Sequence, residues 1–256
     1  MILLRHLLVC LLLSVGAVRA AEPAHIVFMI GEDEYRTAET LPEFAEKELK
    51  PRGWRISIVT ADPADPNHFP KLIEALRDAD LLFLSVRRRT PPKEQIDAVR
   101  AHLAAGRALV GIRTASHAFG LRGNAKPADP KLAAWQEFDA EVLGGNYSNH
   151  YGNEEMTTLS LAPGAESHAI LKGVDVAKLA TRGSLYKVSP LEKGITRLLF
   201  GTIAGKAPEP VAWTRRFGEK SARIFYTSLG HPADFQNADF RVFLTNAVAW
   251  ALEKSG

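Results

Sequence analysis

Short apolar runs alternate with stretches of helical spacing through the first half of this chain, and that alternation restricts the fold more than any single residue does. His25–Ile30, Trp54–Thr60, Leu81–Val86 and Arg107–Ile112 all have strand length and are rich in β-branched or bulky apolar residues. Between them lie Arg36–Lys50, with Leu41, Phe44, Ala45 and Leu49 at helical spacing, then Lys71–Arg77, and then Pro92–Ala105, which starts on a proline and stops before Gly106. Parallel neighbours need crossover connections of about a dozen residues, which helices supply. The pattern therefore predicts an α/β fold, with a mostly parallel sheet covered on both faces. Leu81–Val86 is apolar except for Ser85 and belongs near the centre of that sheet.

The alternation pauses between Leu121 and Glu155, where Pro127, Pro130, Gly144, Gly145 and Gly152 surround one expected helix, Lys131–Val142. An insertion of that size is more often functional than idle. Further strands are expected at Met156–Leu161, Leu198–Ile203, Val211–Thr214 and Ile224–Ser228, the last ones antiparallel because short turns join them. Phe240–Glu253 reads as a closing helix, and His102 is expected on the surface of the Pro92–Ala105 helix. No repeat or linker divides the sequence, so residues 21–256 are expected to form one domain.

Residues 1–20 read as a secretory signal peptide. Arg5 gives a basic start, Leu7–Val18 an apolar core, and Val18-Arg19-Ala20 a small-residue cleavage pattern. The expected mature protein begins near Ala21, is secreted or periplasmic, and has no membrane span. Cys10, the only cysteine, leaves with the leader. Loss of Arg5 and Arg19 lowers the formal net charge of +3 by two. So small a net charge, without a clustered basic face, gives no reason to expect a nucleic-acid partner.

Chemistry is expected where the apolar run of Arg107–Ile112 ends abruptly in Arg113, Thr114, Ser116 and His117. Open α/β sheets bind ligands outside the carboxyl ends of their strands. Arg113 presents a charged fork of donors suited to a carboxylate, a phosphate or a developing oxyanion; the bland alternative is an arginine paired with an acid across the crevice. His231 follows Ile224–Ser228 and should reach the same edge, with Asp234 placed to orient it. With a strand order of 2-1-3-4-5, Glu34 and Tyr35 after Gly31, and Arg87 in the Arg87-Arg88-Arg89 run, flank the switch point. Tyr147 and His150 lie in the glycine-rich insertion, which is long enough to fold over the pocket.

The strings EYRTAETLP, RTASHAF, VLGGNYSNHYG and FYTSLGHPADF resemble those of the ThuA-like family, named for trehalose utilisation, over roughly Ala24–Leu252. The resemblance implies a flavodoxin-like three-layer αβα sandwich similar to that of class I glutamine amidotransferases, and a role in disaccharide or keto-sugar catabolism. Where such amidotransferases carry Gly-Ile-Cys, this chain reads Gly111-Ile112-Arg113; His231-Pro232-Ala233-Asp234 keeps the histidine and a nearby acid. Without a thiol in the mature chain, amidotransferase chemistry is excluded.

The expected protein is thus a sugar-processing one using acid–base chemistry on a small-molecule carbohydrate. His231, His117 and Arg113 are the catalytic candidates, and Glu34, Tyr35, Arg87, Ser116, Tyr147, His150 and Asp234 the substrate-binding ones. No cofactor and no metal are assigned. The alternatives are a noncatalytic carbohydrate-binding protein and a metal-assisted hydrolase gathering His117, His150 and His231 with Glu154 or Asp234, although none of these has close metal-ligand spacing.

Overall fold

A computed structural model describes residues 22–152 and 155–253. The leader, including Arg5, Cys10 and Ala20, and also Glu154, lie outside the described residues. The strands in chain order are β1 (His25–Gly31), β2 (Arg55–Thr60), β3 (Leu81–Val86), β4 (Ala108–Ile112), β5 (Asn149–His150), β6 (Thr158–Leu161), β7 (Tyr186–Lys187), β8 (Thr196–Thr202), β9 (Glu209–Phe217) and β10 (Ala222–Thr227). The α-helices are α1 (Thr37–Phe44), α2 (Leu72–Leu76), α3 (Lys93–Ala104) and α4 (Ala238–Leu252).

One eight-stranded sheet runs in the order β2-β1-β3-β4-β10-β9-β8-β6. Its first five strands are mutually parallel, in the flavodoxin-like order with β10 as the fifth. The remaining pairings, β10 with β9, β9 with β8 and β8 with β6, are antiparallel. Alternation along β1 sends Ile26, Phe28 and Ile30 to one face and Val27 and Met29 to the other. The first face is covered by α1 and α4 through Leu41, Phe44, Phe240, Phe243 and Ala247. The second is covered by α2 and α3 through Leu72, Leu76, Ile96, Val99 and Leu103. Each such side chain contributes about 1.5–3 kcal/mol by leaving water, which is why a sheet apolar on both faces settles between two helical layers. Among the described residues, no helix is long and apolar enough to cross a membrane.

Three local expectations need correction. The helix expected over Arg36–Lys50 is α-helical only to Phe44; Pro42 supplies no amide N–H, and the chain continues as a π-turn over Ala45–Leu49 and a 3-10 turn over Lys50–Arg52. Lys131–Val142 is not a helix; only Asp139–Leu143 forms a single π-turn. Leu132 instead bridges to Pro92, and the Trp135 amide donates to the Phe119 carbonyl at 2.6 Å, so backbone groups that a helix would use internally are committed elsewhere. His102, expected on the surface of its helix, is buried. It falls on the stripe of α3 formed by Gln95, Ile96, Val99 and Leu103, and its Nε2 is 2.9 Å from the Ala108 carbonyl.

Candidate functional site

Four parallel strands, β1, β3, β4 and β10, deliver loops to one edge of the sheet, and buried carboxylates shape two of those loops. After β1, the Glu32 side chain accepts from the amides of Glu34 (2.8 Å), Tyr35 (2.6 Å) and Thr37 (2.7 Å), and from the Thr37 hydroxyl (2.6 Å). Gly31 lets this turn form, because a Cβ there would lie 2.5 Å from the Phe69 ring. After β10, Asp234 accepts from the amides of Gly230 and His231, both at 2.9 Å, and from the Thr181 hydroxyl at 3.1 Å. Asp234 thus holds the backbone of the His231 loop rather than the imidazole, whose Nδ1 accepts from the Ala233 amide at 3.2 Å. Burial first, then the charges of Arg113 and Arg182, hold the His231 pKa below its usual value against the opposing pull of Asp234.

The loops after β3 and β4 are tied together. The amides of Arg88 and Arg89 donate to the carbonyls of His117 (2.9 Å) and Ala118 (2.8 Å). Arg88 and Arg113 both adopt left-handed backbone conformations, with φ of 49° and 48°. At Arg113 this bend turns β4 directly into the 3-10 turn Arg113–His117, a sharp strand-to-helix elbow. The Arg113 side chain folds under the elbow and is 1% exposed. Its Nη1 donates to the Ser228 carbonyl at 2.6 Å and the Ser184 carbonyl at 3.3 Å, and its Nη2 to the Ser184 hydroxyl at 3.2 Å. The rings of Tyr35 and Tyr186 lie 4.3 and 4.9 Å from its guanidinium carbon. Gly183 closes this cage, since a Cβ there would come within 2.7 Å of Nη1. Among the described residues no carboxylate stands within ion-pair distance of Arg113, so it is neither half of a salt bridge nor part of the cleft wall.

Above Arg113 lies a cleft of about 200 Å³, lined by Glu34, Tyr35, Arg87, His117, Tyr147 and His150 from the sequence expectation, together with Arg88, Arg122, Ser148, Asn149 and Tyr186. Its aromatic wall is assembled by pairing β5 with β7, which sets His150 opposite Tyr186. His117 stacks on Tyr147 with centroids 4.4 Å apart at 20°, and Tyr147 meets Tyr186 at 4.8 Å. Glu34 pairs with Arg87 at 2.7 Å. Ser116 engages His117 Nδ1 at 3.1 Å, so Nε2 is the ring nitrogen left for a ligand. Burial, then Arg88, Arg87, Arg122 and Arg113 in that order, pull the His117 pKa down to about 3, and the ring is neutral at neutral pH.

A second cavity of about 260 Å³ shares Arg88, His117, Tyr147 and Ser148 with the first and extends to Ser116, Phe119, Trp135 and Asp139. Burial pushes the Asp139 carboxyl up to about 7, partly offset by its bond from the Tyr147 amide at 2.7 Å.

The structure therefore brings six of the expected residues into one cleft. Ser116 sits in the adjoining cavity, and Arg113 and Asp234 lie beneath the surface. His231 stands beyond Tyr35, their rings edge to face at 6.4 Å. Arg122 and Tyr186 escaped the sequence reading because neither follows a strand of the main sheet directly: Arg122 lies in a short 3-10 turn five residues beyond His117, and Tyr186 on the two-residue strand β7, remote in sequence from the cleft loops. Among the described residues, no group of three or more His, Cys, Asp or Glu is disposed to hold a metal ion. His117, His150 and His231 do not converge as the metal-assisted alternative requires.

The family model described as trehalose utilisation, ThuA, matches residues 26–251. The chain belongs to the ThuA family. Solved structures agree at the level of fold. A ThuA-like protein from Bacteroides uniformis is 17% identical, with a TM-score of 0.64 and coverage of 92% of this chain and 94% of that one. Another from Parabacteroides merdae is 18% identical, with a TM-score of 0.59 and coverage of 90% of each chain. No curated protein sequence matches the chain. Within this ThuA-family chain two of the strings that carry the resemblance occupy the loops just described: EYRTAETLP covers the Glu32-clamped turn and most of α1, and RTASHAF the elbow.

Proposed function

We propose that this ThuA-family protein binds a carbohydrate in the aromatic cleft and moves a proton next to a carbonyl of that sugar, a keto-sugar or an oxidised disaccharide. The observation that carries this reading is the joining of stacked His117 and Tyr147 with Tyr186 over a polar floor. Aromatic faces suit the C–H faces of a sugar ring, while Ser148, Asn149 and the Glu34–Arg87 pair offer hydroxyl partners. Tyr147 and Tyr186 have pKa values raised by burial, so both remain phenols and hydrogen-bond donors.

In this reading His117 Nε2 or the His231 imidazole carries the proton. Arg113 acts from below as a fixed charge that favours a developing enediolate oxyanion without touching it. A general base of this kind contributes about 10² to 10⁴ in rate. The test is incubation with a keto-sugar in deuterium oxide. Wild type should incorporate deuterium beside the carbonyl, and His117→Gln or His231→Gln should slow this by about a hundredfold or more. Binding without any exchange would leave the noncatalytic carbohydrate-binding reading in its place.

The export reading belongs to the same proposal. A protein recovered from its host should begin at Ala21 or Glu22, and an intact Met1 on N-terminal sequencing would overturn it. Residues 21–256 are carried as one domain in this reading.

A further inference from the structure

We infer that the sugar taken by this cleft carries an anionic group, a carboxylate or a phosphate, held between Arg88 and Arg122 beside His117. The inference rests on the carbohydrate reading above and narrows its substrate class. Several cations of this protein have acids beside them: Arg36 pairs with Glu39, Lys47 with Glu43, Arg241 with Glu48 and Arg89 with Asp33. Within the cleft Arg87 is paired in the same way, with Glu34. Arg88 and Arg122 are not, and among the described residues neither has a carboxylate within ion-pair distance. The cleft therefore holds more positive than negative charge, concentrated on two planar forks that match the oxygens of a carboxylate or phosphate.

Two further observations point the same way. Arg88 lines both cavities, and its backbone is fixed by the bond from its amide to His117 at a left-handed φ of 49°, a conformation that a glycine would accept without strain. The same conformation occurs at Arg36 and Lys71, away from the cleft, so what sets Arg88 apart is its place on the wall of both cavities beside His117. The cations are also felt by their neighbours. After burial, the charge of Arg122 lowers the Arg88 pKa, and Arg88, Arg87, Arg122 and Arg113 together depress that of His117. Tyr147 and Tyr186, the rings packed on His117, bring no negative charge at neutral pH to offset them. An anion seated there relieves that repulsion and returns basicity to His117, so the substrate itself supplies the condition under which the ring accepts a proton.

The experiment is isothermal titration of the full mature chain with glucose, glucuronate, glucose 6-phosphate, acetate and inorganic phosphate at low and moderate salt. One of the two sugar anions should bind at least about tenfold more tightly than glucose, with an advantage that shrinks as salt rises. Which of them wins distinguishes carboxylate from phosphate. Arg88→Gln and Arg122→Gln should each weaken the sugar anion by about tenfold more than glucose. Arg88→Gly gives the same reading with the backbone relaxed, and the His117 ring pKa, followed by NMR, should rise on binding the anion. Equal affinity for glucose and both sugar anions would overturn this inference and leave the carbohydrate reading standing. Acetate or inorganic phosphate binding as tightly as the sugar anions would support the anion site and overturn the carbohydrate reading. Failure of all five probes to bind would overturn the inference.

Discussion

Arg88 and Arg113 follow the carboxyl ends of neighbouring parallel strands and share the same left-handed backbone, yet one points into an open cleft and the other into the core. The loop after β3 ends in a run of arginines with room above it. The loop after β4 passes beneath Tyr35, Tyr186 and Gly183, and two backbone carbonyls take the Arg113 fork. Backbone strain at each position costs about 1–2 kcal/mol. At Arg113 it is offset by hydrogen bonds and ring contacts of the side chain; at Arg88 the amide bond to His117 helps, but among the described residues the side chain makes no ion pair. The difference teaches that a charged residue at a strand end can be a keystone or can stand free in a cleft wall, and that its surroundings decide which.

The largest expected effect falls on the keystone. Arg113→Ala leaves the Ser184 and Ser228 carbonyls without their donors and opens a cavity between two tyrosines, and should cost about 3 kcal/mol or more, read as a lower urea midpoint. A loss below about 1 kcal/mol would erase the contrast with Arg88.

The next effect is on pH dependence. The His117 ring, at about 3 in the folded chain, and His102, lowered to about 4 chiefly by burial, both titrate near 6.5 when unfolded. Their depressed values mean that stability is complete above about 6.5 and is lost as pH falls through the window below it. Asp139 runs the other way: raised to about 7, it contributes fully below the unfolded value near 3.8 and loses that contribution as pH rises through 7. Between about pH 4 and 6.5 these slopes oppose one another. Asp139→Asn should therefore make stability climb more steeply with pH, by up to about 1.4 kcal/mol per pH unit, in denaturant titrations across that range. An unchanged slope would mean that Asp139 is ionised in the folded protein.

Arg88 itself sharpens the comparison through the same ring. Because Arg88 stands ahead of Arg113 among the charges acting on His117, Arg88→Gly should raise the His117 pKa, and NMR titration of the ring would show a shift toward its ordinary value. The smallest effect is on folding. The same Arg88→Gly variant should be as stable as wild type or gain up to about 1 kcal/mol, in contrast to Arg113→Ala. A marked loss of stability would make Arg88 a keystone too.

The parallel half of the sheet was legible in the sequence because β1, β3 and β4 are buried on both faces and so appear as almost wholly apolar runs, with His25 and Ser85 the polar exceptions. The gathering of Glu34, Arg87, His117 and Tyr147 at one edge was legible for a related reason, since strand ends and Gly31 mark where the chain must turn. The burial of Arg113 was not, because an arginine after an apolar strand looks the same whether it faces water or a cage closed by Gly183 from a distant loop. Nor was the fate of Lys131–Val142, whose apolar residues have helical spacing although its backbone bonds go to Pro92 and Phe119. His102 could have been read correctly, since its place on the apolar stripe of α3 was present in the spacing and only its polarity argued for the surface.

The pairing of β4 with β10 also sets a timetable. Arg113 meets Ser228 across 115 residues of sequence, and its own carbonyl accepts from the Tyr226 hydroxyl across 113. Contacts that close so long a loop return their energy only after most of the chain is in place, and topologies built on them fold slowly. While the chain is being made, β1 to β4 can find one another with the Arg113 elbow still uncaged, and the cage waits for the C-terminal strand. The cage beneath the cleft is thus one of the last features to come into being, and the floor of the cleft reports completion of the chain as well as the identity of its side chains.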